Sequence, residues 1–379
     1  MEGFFDNVAT IIEQARTYVG RTADLTMCIT YYEIGRMIVE QEQKGKEHSE
    51  YGSDLLKKLS THLTGRFGKG FSTTNLKYAR QFYQTYAPSI QQLNSTKAKT
   101  NVVNRQSPID EFNLQKLSLN RQSMIDELPF KLSWTHYQVL TRIKNADERH
   151  FYEIEAINQQ WSVRQLQRQY NSSLYERLAL SRNKTDVMRL ANEGQLVEKP
   201  GDLLKNPLVL EFLGMDEKSE YSETTLESAI ISHLQKFLLE LGKGFLFEAR
   251  QKRFSFDEQS FFVDLVFYNR LLQCYVIIDL KTDKMGHQDL GQMLMYVNYF
   301  DRYVKAEHEK PTVGILLCKE KNESIVQLTL PENSNIYASE YQLYLPAKSL
   351  LQQKLIEWSQ EFEETQNIRD KKFNGQTKE

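Results

Sequence analysis

The chain has 379 residues and a mass of 44.5 kDa, about two to three average domains, and its 40% hydrophobic and 26% charged residues exclude a disordered chain, a collagen and a coiled-coil fibre. Net charge is −2, yet residues 1–200 carry 27 Lys/Arg against 22 Asp/Glu and residues 201–379 carry 21 against 28, so a basic half precedes an acidic one. The chain opens without a secretory pattern, no apolar run approaches the roughly 20 residues of a membrane span, and Cys28, Cys274 and Cys318 lack zinc or redox spacing, so a soluble cytoplasmic protein with reduced thiols and no membrane partner is expected.

Three- and four-residue spacing of Val8, Ile11, Ile12, Ala15 and Val19, then of Ile29, Tyr32 and Ile38, predicts helix over residues 8–43. Ser53 is a candidate cap for a second helix to about Arg66, Gly68-Lys69-Gly70 a stop, and Ser72 a cap for a third helix to about Tyr86. Two helices across a short glycine turn outline a helix-turn-helix. Residues 51–105 hold nine Lys/Arg and one acid, Asp54. Such a patch suits a polyanion: Lys57, Lys58, Arg66, Lys69, Lys77 and Arg80 would contact phosphates, with Thr73 on the same nucleic-acid surface, while Asn75 could reach base edges. The polar stretch 94–109 reads as a loop. Helices resume near Trp134 and His150, and a short basic helix from Val163 adds Arg164 and Arg168 to the candidate nucleic-acid surface. A charged helical connector at 176–204, with Pro200-Gly201 as hinge, would separate an all-α domain (1–175) from a second domain (205–379).

Beyond residue 220 the pattern becomes mixed α/β. A helix over 224–241 precedes strand-like runs at 245–250, 261–268 and 273–281, then a helix over 288–303, strands at 312–318 and 341–345, and a closing helix over 348–364. Charges interrupt the otherwise apolar strands: Asp264 in one, Asp279 and Lys281 in the next. Side chains alternate along a strand, so Asp279 and Lys281 share a face. Buried ions cost too much to stand alone, so these groups need one another or a metal. A stripe through 227, 231, 234, 238 and 241 places Glu227 on the sheet-facing edge of its helix, and Gln292 and Tyr296 lie one turn apart on the following helix. Carboxylates gathered at a sheet's lip suit Mg²⁺ or Mn²⁺, and a neighbouring lysine suits phosphodiester hydrolysis.

Glu227, Asp264, Asp279-Leu-Lys281, Gln292 and Tyr296 resemble the pattern of PD-(D/E)XK nucleases. The longer words Leu226–Phe245, Val263–Tyr268, Gly291-Gln-Met293, Pro311–Lys319, Phe67–Leu76 and Gln160–Arg164 resemble the YhcG-like branch, over roughly residues 18–345. The resemblance implies a restriction-endonuclease-like fold with a mixed central sheet. It implies Asp264 and Asp279 as metal ligands, Glu227 as a supporting acid at the metal, Lys281 as water-orienting base, and Gln292 with Tyr296 as the wall of a catalytic site acting on DNA. One departure is Asp279, where Glu is the commoner residue of the branch; the shorter side chain draws the carboxylate back by roughly 1.5 Å. Glu248 has no assigned role. The alternative is a nuclease fold without turnover that binds nucleic acid or assembles complexes. One metal site per chain would need two chains to cut both strands, so a homo-oligomer is compatible.

Overall fold

The computed structural model describes residues 2–44, 51–100, 130–181, 184–216, 220–331 and 334–356, and the chain divides into two compact units, 1–166 and 167–379.

The first unit is helical: α1 (Glu2–Lys44), α2 (Tyr51–Phe67), α3 (Thr73–Thr100), α4 (Trp134–Leu140) and α5 (Ala146–Asn158), with α6 (Val163–Asn171) opening at its end. α1 and α3 meet backbone to backbone at Gly35, where a Cβ would lie 2.1 Å from the Ala79 carbonyl oxygen. Ile38, Leu56 and Leu76 form a small core with Leu59 and Leu63 against it. Larger rings build the rest. Phe82 is fully buried, with the rings of Phe130, Tyr137 and Trp134 at 4.8, 5.0 and 5.4 Å. Gly68 and Gly70 take positive φ between α2 and α3, and Ser72 Oγ accepts from the Asn75 amide at 3.2 Å, the cap expected there.

Two expectations change. Ser53 lies inside α2 rather than capping it. α3 continues through Pro88 to Thr100, so residues 94–100 are helix and not loop, while 101–109 fall outside the described residues. The buried series Ala79, Phe82, Ala87 and Ile90 carries the helix past the proline, whose missing N–H forfeits one ladder bond.

The second unit is an α/β sandwich. α7 (Leu174–Leu180) and α8 (Lys184–Glu193) lead to β1 (Leu208–Val209), α9 (Glu223–Ser232), α10 (Leu234–Leu241), β2 (Phe245–Phe256), β3 (Gln259–Asn269), β4 (Cys274–Lys284), α11 (His287–Tyr299), β5 (Val313–Glu320), α12 (Glu323–Thr329) and β6 (Ile336–Gln342). The sheet order is β1-β6-β5-β4-β3-β2; β2–β3 and β3–β4 are antiparallel, and β4–β5, β5–β6 and β1–β6 are parallel. Leu226, Ile230, Phe237 and Leu241 of α9–α10 pack with Leu265, Phe267, Ile278 and Leu280, while Leu290, Met293 and Val297 of α11 pack with Val266, Ile277 and Leu316. Apolar side chains therefore cover both faces of the central strands, as a sheet with parallel pairs requires.

The segment expected to be a charged connector is partly core. Ser172 to Ala179 are buried. Arg177, fully buried, donates to Ser172 O (2.8 Å) and Pro207 O (2.9 Å) and pairs with Glu240, whose Oε1 also accepts from Val209 N at 3.0 Å. Arg168 joins the same knot, 3.1 Å from both Glu240 and Glu211. Burial alone would raise the Glu240 carboxyl, but Arg177, Lys205 and Arg168 outweigh it and hold Glu240 down to about 2. Arg168 is thus turned into this knot, which corrects its expected place on a nucleic-acid surface.

Candidate active site

β3 and β4 bring the two aspartates together. Leu265 pairs with Ile278 across the strands, which makes Asp264 and Asp279 the next opposed positions. Asp264 Oδ2 accepts the Leu280 amide at 2.8 Å, closing the ladder with a side chain. Asp279 is 3% exposed, and burial first, then the charge of Asp264, pushes its carboxyl up to about 7 against the opposing pull of Lys281. Its Oδ2 is buried and pairs with Lys281 Nζ at 3.0 Å.

Lys281 lies between two acids, Asp279 and Glu223, the latter 3.3 Å away at the first turn of α9. Burial favours its neutral form, but those carboxylates prevail and raise its pKa. It is therefore an ammonium that offers charge and donors here, not a base ready to take a proton.

Glu227 is 1% exposed, where it was expected, although its stripe is phased differently. α9 ends at Ser232 and α10 begins at Leu234, and the break at His233 (φ −119°) turns Leu226, Glu227, Ile230, Phe237 and Leu241 inward, leaving Ile231, Leu234 and Leu238 only partly buried. Arg250 Nε stands 2.9 Å from Glu227 Oε1, and the Gln251 amide bridges Glu227 Oε2 to Asp264 Oδ1, the latter at 3.0 Å. Gln251 takes φ 46°, left-handed backbone that costs a non-glycine residue about 1–3 kcal/mol, and this turns its amide onto both acids. The sequence reading missed Arg250, Gln251 and Glu223.

These groups meet the demands of a hard divalent cation at two carboxylates. Asp264 and Asp279 repel one another, and Asp279 is buried with Lys281 alone to offset its charge from the other side; Mg²⁺ needs only one or two carboxylates and keeps waters elsewhere. Among the described residues, no three His, Cys, Asp or Glu side chains gather as one ligand set, so the expected trio with Glu227 is not assembled. Glu227 is joined instead to Asp264 through the Gln251 amide. On α11, the Gln292 amide donates to the Tyr296 hydroxyl. Burial raises the pKa of Tyr296, and Asp279 and Asp264 add to the rise, which sets this wall against the acid pair.

In the first unit, Lys57, Lys58, Arg66, Lys69 and Lys77 are exposed, Lys58 pairing with Asp54 at 2.8 Å; Arg164 is exposed and Thr73 half-buried. Two other expected contacts are occupied. The Asn75 amide donates to Gly70 O and to Tyr31 OH (3.0 Å), and its oxygen accepts from Trp134 (3.1 Å) and Gln138 (2.8 Å), which spends its capacity on the fold. Arg80 is half-buried on Glu42 at 2.7 Å.

Residues 201–356 match the profile of the YhcG PDDEXK nuclease domain, and residues 7–177 that of the DUF1016 N-terminal domain. The chain is 38% identical over 354 residues to "Putative nuclease YhcG" of Escherichia coli (strain K12), covering 93% of this chain and 92% of that one. The chain belongs to the YhcG-like family of PD-(D/E)XK nucleases. All six residues expected in the site fall within the YhcG nuclease-domain match. A crystal structure of a repair endonuclease from Pyrococcus abyssi is similar at 19% identity over 35% of this chain and 50% of that one, with a TM-score of 0.23, too slight to bear on function. No helix among the described residues of this YhcG-like chain is long and apolar enough to cross a membrane.

Proposed function

We propose that the chain hydrolyses phosphodiester bonds in DNA, with Asp264 and Asp279 holding Mg²⁺ or Mn²⁺ and the basic helical unit binding the nucleic acid. The observation that carries this reading is the buried Asp279 carboxylate, facing Asp264 across the strands and paired with the Lys281 ammonium at 3.0 Å. When bound, the cation lowers the pKa of a water and offsets charge on a phosphoryl oxygen. Lys281 keeps its proton and orients that water or meets the charge developing on the phosphate. Glu227, through Gln251, fixes Asp264, and Gln292 with Tyr296 closes the site on the α11 side. Lys57, Lys58, Arg66, Lys69, Lys77 and Arg164 supply sequence-independent phosphate affinity, with Thr73 beside them.

Purified protein is expected to cut DNA with Mg²⁺ or Mn²⁺ and to stop with EDTA. Asp279→Ala and Lys281→Ala are each expected to abolish cutting and leave DNA binding intact. Undiminished cutting by both variants removes the site from the reaction; salt-sensitive binding with no cutting on linear, circular, branched or single-stranded DNA favours the silent binding module.

A further inference from the structure

α11 serves the acid pair with Gln292 and Tyr296, and its neighbouring positions line something else. A cavity of about 330 Å³ opens between this helix and the end of β2, lined by Phe254, Phe256, Gly291, Tyr299, Arg302 and Tyr303 among others. Phe254 stacks on Tyr299 at 4.0 Å and meets Tyr296 edge-on at 5.6 Å, so a single ring separates the cavity from the tyrosine beside the acids. At the mouth Phe256 and Tyr303 are 54% and 62% exposed, their ring centroids 6.4 Å apart.

Three features define the occupant. Large exposed rings leave apolar surface in water unless a partner covers it, and a flat π-system covers it best. Arg302, beside those rings, is exposed and forms no ion pair with a described residue, in a half of the chain where acids outnumber bases by 28 to 21. Finally, Gly291 stands in the interior of α11, where glycine costs about 1 kcal/mol relative to alanine, yet a Cβ there would meet nothing within 4 Å. Packing within the protein does not demand glycine at that wall, which is left open to a ligand. Aromatic rings with adjacent guanidinium groups are the elements by which proteins hold unpaired bases.

We propose that this cavity takes an unpaired nucleobase of the nucleic acid, stacked on Tyr303 and Phe256, with Arg302 against the adjoining phosphate. The substrate is then a strand that is single, frayed or branched near the scissile bond. This rests on the cleavage reading above, since Tyr296 links cavity and acid pair.

The test uses the full chain in EDTA and an oligonucleotide carrying 2-aminopurine, single-stranded or paired. The single strand is expected to bind with a saturable fluorescence change from stacking and more tightly than the duplex. Tyr303→Ala and Gly291→Leu are expected to lose that change and about tenfold in single-strand affinity while duplex affinity stays within about twofold. Gly291→Ala, whose methyl meets nothing, is expected to bind as the parent does, and unchanged thermal melts for the variants show that they fold. Equal single-strand affinity for parent and Tyr303→Ala overturns the proposal. So does a dimer that dissociates in Tyr303→Ala, because a second copy would then cover the rings. A protein that cuts DNA with Mg²⁺ but fails the stacking test keeps its activity and loses this pocket. One that stacks the base but cuts nothing loses the cleavage reading and keeps the pocket.

Discussion

Replacing Asp279 by Asn is expected to abolish cleavage and, in metal-free protein, to make the fold more stable. Asp279 is held at about 7 by burial and by Asp264, against roughly 3.9 in an unfolded chain. Its folded pKa is raised, so between those values the native state binds more protons than the unfolded state, and stability falls as pH rises. Three units at 1.36 kcal/mol each, with the pull of Lys281 already included, set an upper bound of about 4 kcal/mol; relaxation reduces this, and roughly 2 kcal/mol is expected. Asparagine has the same shape and no charge to bury. In EDTA, urea unfolding of the transition carrying the sheet signal should show Asp279→Asn ahead of the parent by about 2 kcal/mol at pH 8, with the two converging near pH 4. A variant less stable at pH 8, or a gap that does not change with pH, refutes the reasoning. The underlying conflict is between a stable fold and a charged site built to hold a cation.

The buried knot gives the opposite slope. Glu240, held down to about 2, contributes stability that is present above about pH 4.3 and is lost as pH falls toward 2, and Glu240→Gln is expected to cost about 3–5 kcal/mol at pH 7 in the same unfolding assay. Gln251→Gly removes the left-handed strain and should leave the fold no less stable, yet cleavage should fall because Glu227 and Asp264 lose their bridge. Neutralising Lys57, Lys69 and Lys77 should weaken DNA binding uniformly across sequences and flatten its salt dependence, whereas Arg168→Gln should lower stability and leave binding unchanged in fluorescence anisotropy.

Asp264, Asp279 and Lys281 were legible because charge interrupting an apolar strand demands a reason, and register did the rest. Glu227 was legible for a partly mistaken reason: the assumed continuous helix breaks at His233, but the mistake falls after Glu227 and leaves its burial intact. Gln251 was hidden because positive φ at a non-glycine residue has no local signature, and the acids it joins lie 24 and 13 residues away. Arg168 was misread because an arginine on a polar helix face looks the same whether it will meet a phosphate or an acid 43 or 72 residues away. Asn75 was misread likewise, its partners Tyr31, Trp134 and Gln138 lying far along the chain. β1, with two residues, has no periodicity to detect.

The central claim is that Asp264 and Asp279 share one divalent cation. Calorimetric titration of Mn²⁺ into metal-free protein tests it most directly. One site per chain is expected in the parent and in Lys281→Ala, with loss of binding in Asp264→Asn and in Asp279→Asn. Parent-like Mn²⁺ binding by both asparagine variants, or none by the parent, contradicts it.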